Sequence, residues 1–257
     1  MLFCIDIGNT NIVLGVTDKE KIPFHWRIRT EKDITSDELG VLMSSLFQSS
    51  GLRFKDVTDI IISCVVPPLL KAVYDFCLKY FDIKPMIVGT GINIGMPVRY
   101  DNPKEIGADR IVNAVGAYEK YNTALVVVDF GTATTFDYIS KDGIYMGGAI
   151  APGVLISCEA LFRKASKLPR VEIFVRPENV IAKDTVSSMN VGIIYGYAGL
   201  ADGIINRMKK ETGSALTVVA TGGLAPLICD VSETIDHVEE FLTLQGLMSI
   251  FKKNTKS

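Results

Sequence analysis

Two copies of one short turn sequence constrain the fold of this chain more than any other feature. The first copy, Asp6-Ile7-Gly8-Asn9-Thr10-Asn11, follows an apolar segment, and so does the second, Asp129-Phe130-Gly131-Thr132-Ala133-Thr134-Thr135. Their aspartates are 123 residues apart in a chain of 257. Each copy joins two apolar segments through an Asp-x-Gly turn, which is typical of a β-hairpin. The repetition predicts two related half-domains, residues 1–115 and 116–257, that each direct one turn into a shared cleft.

The rest of the chain predicts an α/β fold, because strand-like and helix-like patterns alternate. Ser36 is the predicted N-cap of an amphipathic helix that reaches about Ser49. Further strands are predicted over residues 22–29, 59–66, 85–88, 136–139 and 216–220, and further helices over residues 69–80, 105–121, 154–164 and 185–212. Residues 89–104 form a predicted long loop, a feature that is often functional. Four glycines inside the last helix would be explained by close helix packing, since an interior glycine is unfavourable.

Composition and charge exclude several classes of function. The chain is 48% hydrophobic and 22% charged, as expected of a soluble globular protein. Its net charge of −2 provides no global basic field, so we expect neither nucleic acid nor membrane as a partner. His25 and His237 are the only histidines, which excludes a histidine-rich metal site and disfavours a Ser-His-Asp or Cys-His catalytic site.

The cysteines and the start of the chain indicate a cytoplasmic protein. Five cysteines are scattered in mostly apolar surroundings without a C-x-x-C pair, as expected of reduced thiols in a reducing compartment. Met1 leads into a short apolar strand without the basic segment of a signal peptide. No apolar run approaches the ~20 residues that span a bilayer.

The two turns have the chemistry of a phosphate-binding pair. A tight turn that contains glycine exposes backbone N–H groups to an anion, and Asn and Thr side chains add donors. Asp6 and Asp129 are each suited to hold Mg²⁺ through water, because Mg²⁺ prefers oxygen ligands and keeps much of its hydration. Two such turns would bind the β- and γ-phosphates of ATP from both sides, and two ordinary hairpins are the alternative. The sequence contains neither a Walker A loop nor a Rossmann glycine loop.

A third glycine turn, Thr221-Gly222-Gly223, lies between a predicted strand and a predicted helix. Glycine lets the backbone approach a flat ligand closely, and a helix N-terminus favours negative charge. The turn is therefore a candidate contact for adenosine or phosphate, with a plain strand-to-helix connection as the alternative.

Four segments in this order carry a resemblance to a known family. They are Asp6-x-Gly8-Asn9-Thr10-Asn11, Gly107-Ala108-Asp109-Arg110, Asp129-x-Gly131-Thr132-Ala133-Thr134-Thr135 and Thr221-Gly222-Gly223, with Gly147-Gly148-Ala149-Ile150-x-Pro152-Gly153 and Lys167-Leu168-Pro169 between them. The chain resembles type III pantothenate kinase, of the acetate and sugar kinase/Hsc70/actin superfamily, from Asp6 to about Gly246. The resemblance implies duplicated actin-like (ribonuclease H-like) half-domains with mixed sheets flanked by helices. It also implies ATP-dependent phosphorylation of pantothenate to 4′-phosphopantothenate, the first step of coenzyme A biosynthesis.

The resemblance also implies roles for individual residues. ATP would be bound by the first and second turns, to which the third turn adds two glycines: Asp6, Ile7, Gly8, Asn9, Thr10, Asn11, Ile12, Val13, Thr132, Gly222 and Gly223. Pantothenate would be bound by Tyr100, Gly107, Ala108, Asp109, Arg110 and Thr185. Asp109 would be the catalytic proton acceptor, and the alternative is an aspartate that stabilises a helix N-terminus or pairs with Arg110. Judged by charge alone, the candidate partners for the pantothenate carboxylate are Arg99, Arg110 and Lys183, and for Arg99 and Lys183 a solvated surface charge is the favoured alternative.

Ions and the partner subunit complete the expected site. The resemblance places a monovalent cation, K⁺ or NH₄⁺, on Asp129, whereas the repeat with Asp6 leaves Mg²⁺ as the alternative there. It further implies a homodimer in which the partner subunit completes the pantothenate pocket. In one departure, the chain has Ala182 near Thr185 where the family commonly has Gly, and Ala tolerates fewer backbone conformations.

Three other functions compete with this one. A related kinase that acts on a sugar or acetate would keep both turns but lack the Gly107–Arg110 segment. A non-catalytic transcriptional accessory or regulatory protein of the same family need not keep Asp6, Asp109, Asp129 and Thr132, yet all four are present. A nucleotide-dependent clamp of the actin or chaperone type requires large insertions, for which 257 residues leave little room.

Overall fold

Each half of the chain builds its own five-stranded mixed sheet in the computed structural model, which describes residues 1–18, 21–89, 91–165, 167–170 and 176–255. In the first sheet the strand order is β3-β2-β1-β4-β5. Its strands are β1 (Leu2–Ile7), β2 (Asn11–Asp18), β3 (Lys21–Arg29), β4 (Asp59–Cys64) and β5 (Met86–Ile87), and the accompanying helices are α1 (Ser36–Ser49), α2 (Pro67–Phe81), α3 (Ala108–Tyr121) and the final helix, α7 (Leu242–Thr255). Strands β1, β2 and β3 pair antiparallel, whereas β1–β4 and β4–β5 are parallel.

The second sheet repeats this arrangement. Its strands are β6 (Leu125–Phe130), β7 (Ala133–Ile139), β8 (Tyr145–Pro152), β9 (Thr217–Thr221) and β10 (His237–Val238), and its helices are α4 (Val154–Lys164), α5 (Thr185–Thr212) and α6 (Ala225–Cys229). The order β8-β7-β6-β9-β10 has two antiparallel pairs followed by two parallel ones, as in the first sheet. The expected duplication of mixed sheets flanked by helices is therefore confirmed.

The two units are interleaved along the chain. Unit 1 comprises Met1–Met96, Asn102–Glu119 and Leu242–Ser257, and unit 2 comprises Pro97–Asp101 and Lys120–Phe241. This division differs from the single boundary expected between residues 115 and 116. The final helix belongs to unit 1 because α3 and α7 cross at glycines: a Cβ atom on Gly116 would lie 2.8 Å from the Leu242 carbonyl oxygen and 3.0 Å from the Gly246 nitrogen.

Each sheet is supported by its own apolar core. In unit 1 the ring of Phe47, on α1, lies 5.5 Å from the rings of both Phe3 and Trp26. In unit 2, alternate residues of β6 pack with Phe136 against Ile194 of α5. These cores fix the strands, and the loops at the strand ends remain at the surface, where binding and catalytic residues concentrate.

Several predicted boundaries differ from the structure by one to three residues; the helix predicted from residue 105, for example, begins at Ala108. Two of the corrections have a clear local cause. The N-cap of α1 is Thr35, not Ser36: the Glu38 N–H donates to Thr35 Oγ1 at 3.2 Å, and the Thr35 N–H donates to Glu38 Oε2 at 2.8 Å. This reciprocal pairing is a capping box, and the sequence pattern fits it one residue earlier than predicted. Strand β4 ends at Cys64, not Val66, because Pro67 and Pro68 open α2 directly after Val66.

The glycines of α5 were expected to pack closely against another helix, but within the described chain three of them have no such neighbour. Gly192, Gly196 and Gly199 are exposed, and a Cβ atom on any of them would meet nothing within 4 Å. The close packing expected of them is therefore not found inside the protomer. Over the described residues, none of the helices combines the length and the apolar character that crossing a membrane would require.

Candidate active site

The first turn closes the β1–β2 hairpin at the carboxyl end of β1. The Gly8 N–H donates to the Asn11 carbonyl at 3.0 Å, which leaves Asn9 and Thr10 exposed at the tip. Thr30 holds the turn from the end of β3: its hydroxyl donates to the Gly8 carbonyl at 2.6 Å and its N–H to the Thr10 carbonyl at 3.0 Å. The turn is thus a fixed loop with polar side chains towards solvent, as a phosphate-binding loop requires.

The Gly107–Arg110 segment lies at the same end of the first sheet. The Val65 N–H donates to the Ile7 carbonyl at 3.0 Å, and Val65 Cγ1 is 3.5 Å from the Cβ position of Gly107. Asp109, half-buried in the first turn of α3, folds its Oδ1 back towards Gly107 and accepts the Arg110 N–H at 2.7 Å. A Cβ atom on Gly107 would lie 2.5 Å from that Oδ1, so glycine makes room for the carboxylate. The structure therefore brings the proposed base and the first turn together.

Cys64 lies between these two segments but is not a nucleophile. Burial raises the pKa of its thiol, the hydrogen bond with the Val66 backbone opposes that rise, and the charge of Asp6 adds to it. The thiol therefore stays protonated at neutral pH.

The second and third turns meet in unit 2. Asp129 stands opposite Thr221 in the parallel pairing of β6 with β9. Gly222 has a φ of +97°, and a Cβ atom there would lie 2.7 Å from Asp129 Oδ1 and from the Phe130 carbonyl oxygen. The Cβ position of Gly131 is 3.4 Å from the same carboxylate oxygen. The Asp129 carboxylate is thus flanked by two glycine turns, and at Gly222 only glycine leaves this cradle open.

Gly153 backs the second turn from the end of β8. A Cβ atom on it would clash with the Thr132 carbonyl and lie 2.6 Å from the Gly131 carbonyl. Its own carbonyl accepts the Tyr197 hydroxyl at 3.1 Å and the Ser157 N–H at 3.0 Å. This packing holds the turn that presents the exposed Thr132.

Tyr100 lies in a five-residue segment, Pro97–Asp101, that belongs to unit 2, although the chain on both sides of this segment belongs to unit 1. It is 37% exposed, and its ring centroid lies 6.3 Å from that of Tyr145. The Cβ position of Gly147 is 3.5 Å from the Tyr100 ring. Tyr100 is therefore an accessible aromatic side chain that packs against Tyr145 and Gly147.

Thr185 is the first residue of α5, exposed at the rim of a cavity of about 690 Å³. Asp184 caps the helix by accepting the Ser187 N–H at 2.9 Å. Ala182 also lines the cavity, and it is not among the described non-glycine residues with positive φ. Alanine at 182 therefore imposes no strain on the backbone that presents Thr185.

Single carboxylates, not clusters, are available for cations. Among the described residues no group of three or more His, Cys, Asp and Glu side chains could hold a metal ion. Asp6 and Asp129 each lie next to a turn that offers backbone and hydroxyl groups. One carboxylate beside a phosphate loop suits Mg²⁺, which keeps several waters and also binds phosphate oxygens.

Several supporting residues were missed by the sequence reasoning. Thr30 holds the first turn, Gly153 backs the second, and Tyr145 supports Tyr100. Of these three residues, only Gly153 could have been found from the sequence, because it ends the Gly-Gly-Ala-Ile-x-Pro-Gly segment that the resemblance includes. Thr30 and Tyr145 act through contacts that sequence spacing does not reveal.

Comparison with known proteins agrees with this arrangement. A model described as type III pantothenate kinase matches residues 2–207. The chain is 61% identical over 257 residues to the type III pantothenate kinase of Syntrophobacter fumaroxidans, and this alignment covers 100% of both chains. It is 59% identical over 255 residues to that of Syntrophus aciditrophicus, and the alignment covers 99% of this chain and 100% of the relative. Its fold resembles that of (R)-2-hydroxyglutaryl-CoA dehydratase component A from Acidaminococcus fermentans, with a TM-score of 0.57 and 14% identity over 100% of both chains. The expected actin-like fold class is confirmed.

Proposed function

The chain belongs to the type III pantothenate kinase family, and we propose that it transfers the γ-phosphoryl group of ATP to pantothenate, forming 4′-phosphopantothenate in the first step of coenzyme A biosynthesis. The observation that carries this proposal is the position of Asp109 beside the first turn. Val65 contacts both segments, through its 3.0 Å bond to Ile7 and its 3.5 Å approach to Gly107. A carboxylate and a phosphate-binding turn thus share one sheet end, as phosphoryl transfer to an alcohol requires.

We assign the ATP contacts to the three glycine turns. They are residues Asp6 to Val13 in unit 1, and Thr132, Gly222 and Gly223 in unit 2. The support is local: a hairpin tip held by Thr30, and the Gly222 cradle around Asp129. Asp6 would hold Mg²⁺ through water, and Asp129 would hold K⁺ or NH₄⁺. When bound, these ions neutralise charge on the phosphates.

Asp109 acts on the alcohol. It orients the primary hydroxyl of pantothenate and accepts its proton as the new oxygen–phosphorus bond forms and the bond to ADP breaks. The Arg110 N–H holds Oδ1 at 2.7 Å, which fixes the direction of the carboxylate. Positioning of this kind contributes more than covalent participation, because the transition state of phosphoryl transfer is loose.

The remaining substrate contacts are assigned to Tyr100, Gly107, Ala108, Arg110 and Thr185. Arg110 is 7% exposed, whereas Arg99 and Lys183 are exposed. A buried guanidinium is screened less by water and binds a carboxylate bidentately, so Arg110 is our choice for the pantothenate carboxylate.

We also propose that the enzyme is a homodimer whose partner subunit completes the pantothenate pocket. Large apolar side chains are exposed around α4 and the start of α5: Leu155, Ile156, Leu161, Phe162, Val180, Ile181 and Val186. The exposed glycines of α5, at 192, 196 and 199, would let a second helix approach closely. Exposed apolar side chains that cluster on one surface mark interaction sites, and Thr185 directly precedes the exposed Val186.

A cytoplasmic location without nucleic-acid or membrane partners completes the proposal. All five cysteines are free, as expected in a reducing compartment. The net charge of −2 gives no electrostatic attraction to nucleic acid or to anionic lipid.

One assay tests the activity. Purified protein is given ATP, Mg²⁺ and K⁺, with pantothenate offered against a panel of sugars and acetate, and ADP release is measured. We expect ADP release that depends on pantothenate alone. Release that ignores pantothenate, or that follows a sugar or acetate, would overturn the proposal, and no release with any acceptor would favour the regulatory alternative.

A further inference from the structure

A buried carboxylate in unit 2 has no part in the proposed chemistry. Asp137, on β7, is 1% exposed. Its Oδ1 accepts the Tyr145 hydroxyl at 2.6 Å, and its Oδ2 accepts the Thr135 hydroxyl at 3.2 Å. A carboxylate only accepts hydrogen bonds, so both hydroxyls must point towards it. The 2.6 Å bond to Tyr145 is at the short end of the range for O–H···O hydrogen bonds and holds the two side chains together.

A β-bulge brings Tyr145 to this carboxylate. Tyr138 pairs with Gly147, but Ile139 pairs with Tyr145, so β8 has one extra residue, Met146, at this point. Without the extra residue Tyr145 would face the opposite side of the sheet, because side chains alternate along a strand. Gly147 supplies the positive φ of +108° at the irregularity. The bulge thus turns Tyr145 to the side of Asp137.

Tyr145 in turn fixes the segment that carries Tyr100. The Tyr145 N–H donates to the Pro97 carbonyl at 2.9 Å, and its carbonyl accepts the Arg99 N–H at 2.8 Å. The Tyr100 ring then lies 6.3 Å from the Tyr145 ring, tilted by 53°, within the range of favourable aromatic pairs. Tyr145 itself is fully buried. Backbone and ring contacts from one residue therefore hold the 97–101 segment on β8.

We propose that Asp137 and Tyr145 are positioning residues for the acceptor substrate: the hydrogen-bonded pair and the bulge of β8 set the place of Tyr100. The inference rests on the proposed function, in which Tyr100 contacts pantothenate. It predicts that removal of the Tyr145 hydroxyl impairs recognition of the acceptor and leaves recognition of ATP intact. A purely structural role would instead weaken both, or only the stability of the fold.

The test uses Tyr145→Phe and Asp137→Asn in the full chain, with Tyr138→Phe on the neighbouring strand as the matched control. KM values for pantothenate and ATP are measured separately. We expect Tyr145→Phe to raise KM for pantothenate about three- to tenfold, the size of one lost hydrogen bond, with KM for ATP unchanged. In a Tyr100→Ala background the same substitution should have no further effect, because the two residues act in series. Tyr138→Phe should behave as wild type.

A second readout does not depend on activity. Amide hydrogen exchange of residues 98–101 should speed up in Tyr145→Phe and not in Tyr138→Phe, whatever the substrate is. Unchanged exchange, or an unchanged KM for pantothenate in an active enzyme, would overturn the positioning role. If exchange speeds up but wild type does not phosphorylate pantothenate, the positioning of Tyr100 stands and the proposed function fails. Tyr145→Phe keeps the ring, so the test survives even if Asp137→Asn does not fold.

Discussion

Gly222 lies so close to Asp129 that a Cβ atom on it would be 2.7 Å from the Asp129 Oδ1. Its φ of +97° is in the left-handed region that L side chains rarely adopt. The third turn and the second turn are thereby one structural unit, and a change in one displaces the carboxylate of the other.

Gly222→Ala should therefore impair ATP use as well as stability. The strain of positive φ and the crowding of Asp129 each amount to about 1–3 kcal/mol. If about half of this free energy appears as weaker stabilisation of the transition state through the nucleotide contacts, kcat/KM for ATP falls about tenfold or more. Gly213→Ala is the control, because Gly213 also has a positive φ, +61°, but nothing within 4 Å of its Cβ position. Equal kcat/KM for ATP in the two variants would remove the third turn from the nucleotide site.

Asp109→Asn should lose about 10²–10⁴-fold in kcat, the typical contribution of a general base. The asparagine keeps an oxygen that can accept the Arg110 N–H, so the fold of the segment is preserved. ATP affinity, measured by calorimetry, should stay near that of wild type. Asp33→Asn, an exposed aspartate of the same unit, is the control and should retain full activity. Near wild-type turnover in Asp109→Asn would contradict its role.

The sequence predicted what local patterns and repetition determine. The repeated Asp-x-Gly turn predicted the duplication, and helix α5 begins and ends at the predicted residues, 185 and 212. The return of α7 to unit 1 depends on contacts between distant residues, such as the 2.7 Å bond from the Thr243 hydroxyl to Asn113, 130 residues earlier. No periodicity encodes such a contact. The bulge that turns Tyr145 was missed for the same reason, since one extra residue in a strand leaves no distinct pattern.

Activity should depend on a monovalent cation through Asp129. Wild type is expected to be faster in K⁺ or NH₄⁺ than in Na⁺ at equal ionic strength and Mg²⁺, because the cation balances negative charge next to the second turn. Asp129→Asn should lose this dependence together with most of its activity. Asp142→Asn, an exposed aspartate in a turn of the same unit, should keep it. Equal rates of wild type in K⁺ and Na⁺ would favour Mg²⁺ at Asp129.

If the proposed homodimer forms through the exposed apolar surface, Ile181→Asp should convert it to a monomer. Ile181 is 86% exposed within the protomer, and a charge there opposes burial in an interface. We expect the mass by light scattering to halve and KM for pantothenate to rise, since in the proposed dimer the partner completes the pocket. Val41→Asp, on α1 of the other unit, changes a residue that is 72% exposed and should leave both unchanged. A monomeric wild type at micromolar concentration would contradict the dimer.

Asp202 should make the fold sensitive to acid. Its Oδ1 accepts the hydroxyls of Ser232 at 2.6 Å and Thr234 at 2.7 Å and the N–H of Glu233 at 3.1 Å. Burial alone would raise the pKa of Asp202, but these hydrogen bonds favour the carboxylate, and the pKa in the folded state is lowered. The ionised group therefore stabilises the fold above its unfolded pKa of about 4, and this contribution disappears as the pH falls through the lower, folded value.

Asp202→Asn should accordingly lower the free energy of unfolding by about 1–2 kcal/mol at pH 7. The difference from wild type should shrink below about pH 4, because asparagine does not titrate and wild type then loses its charge. Urea unfolding of both proteins between pH 7 and pH 3 measures this. Glu233→Gln is the control, since Glu233 contributes its backbone N–H and not its exposed side chain to the Asp202 hydrogen bonds. A stability difference that stays constant across this pH range would show that the carboxylate charge of Asp202 does not stabilise the 232–234 turn.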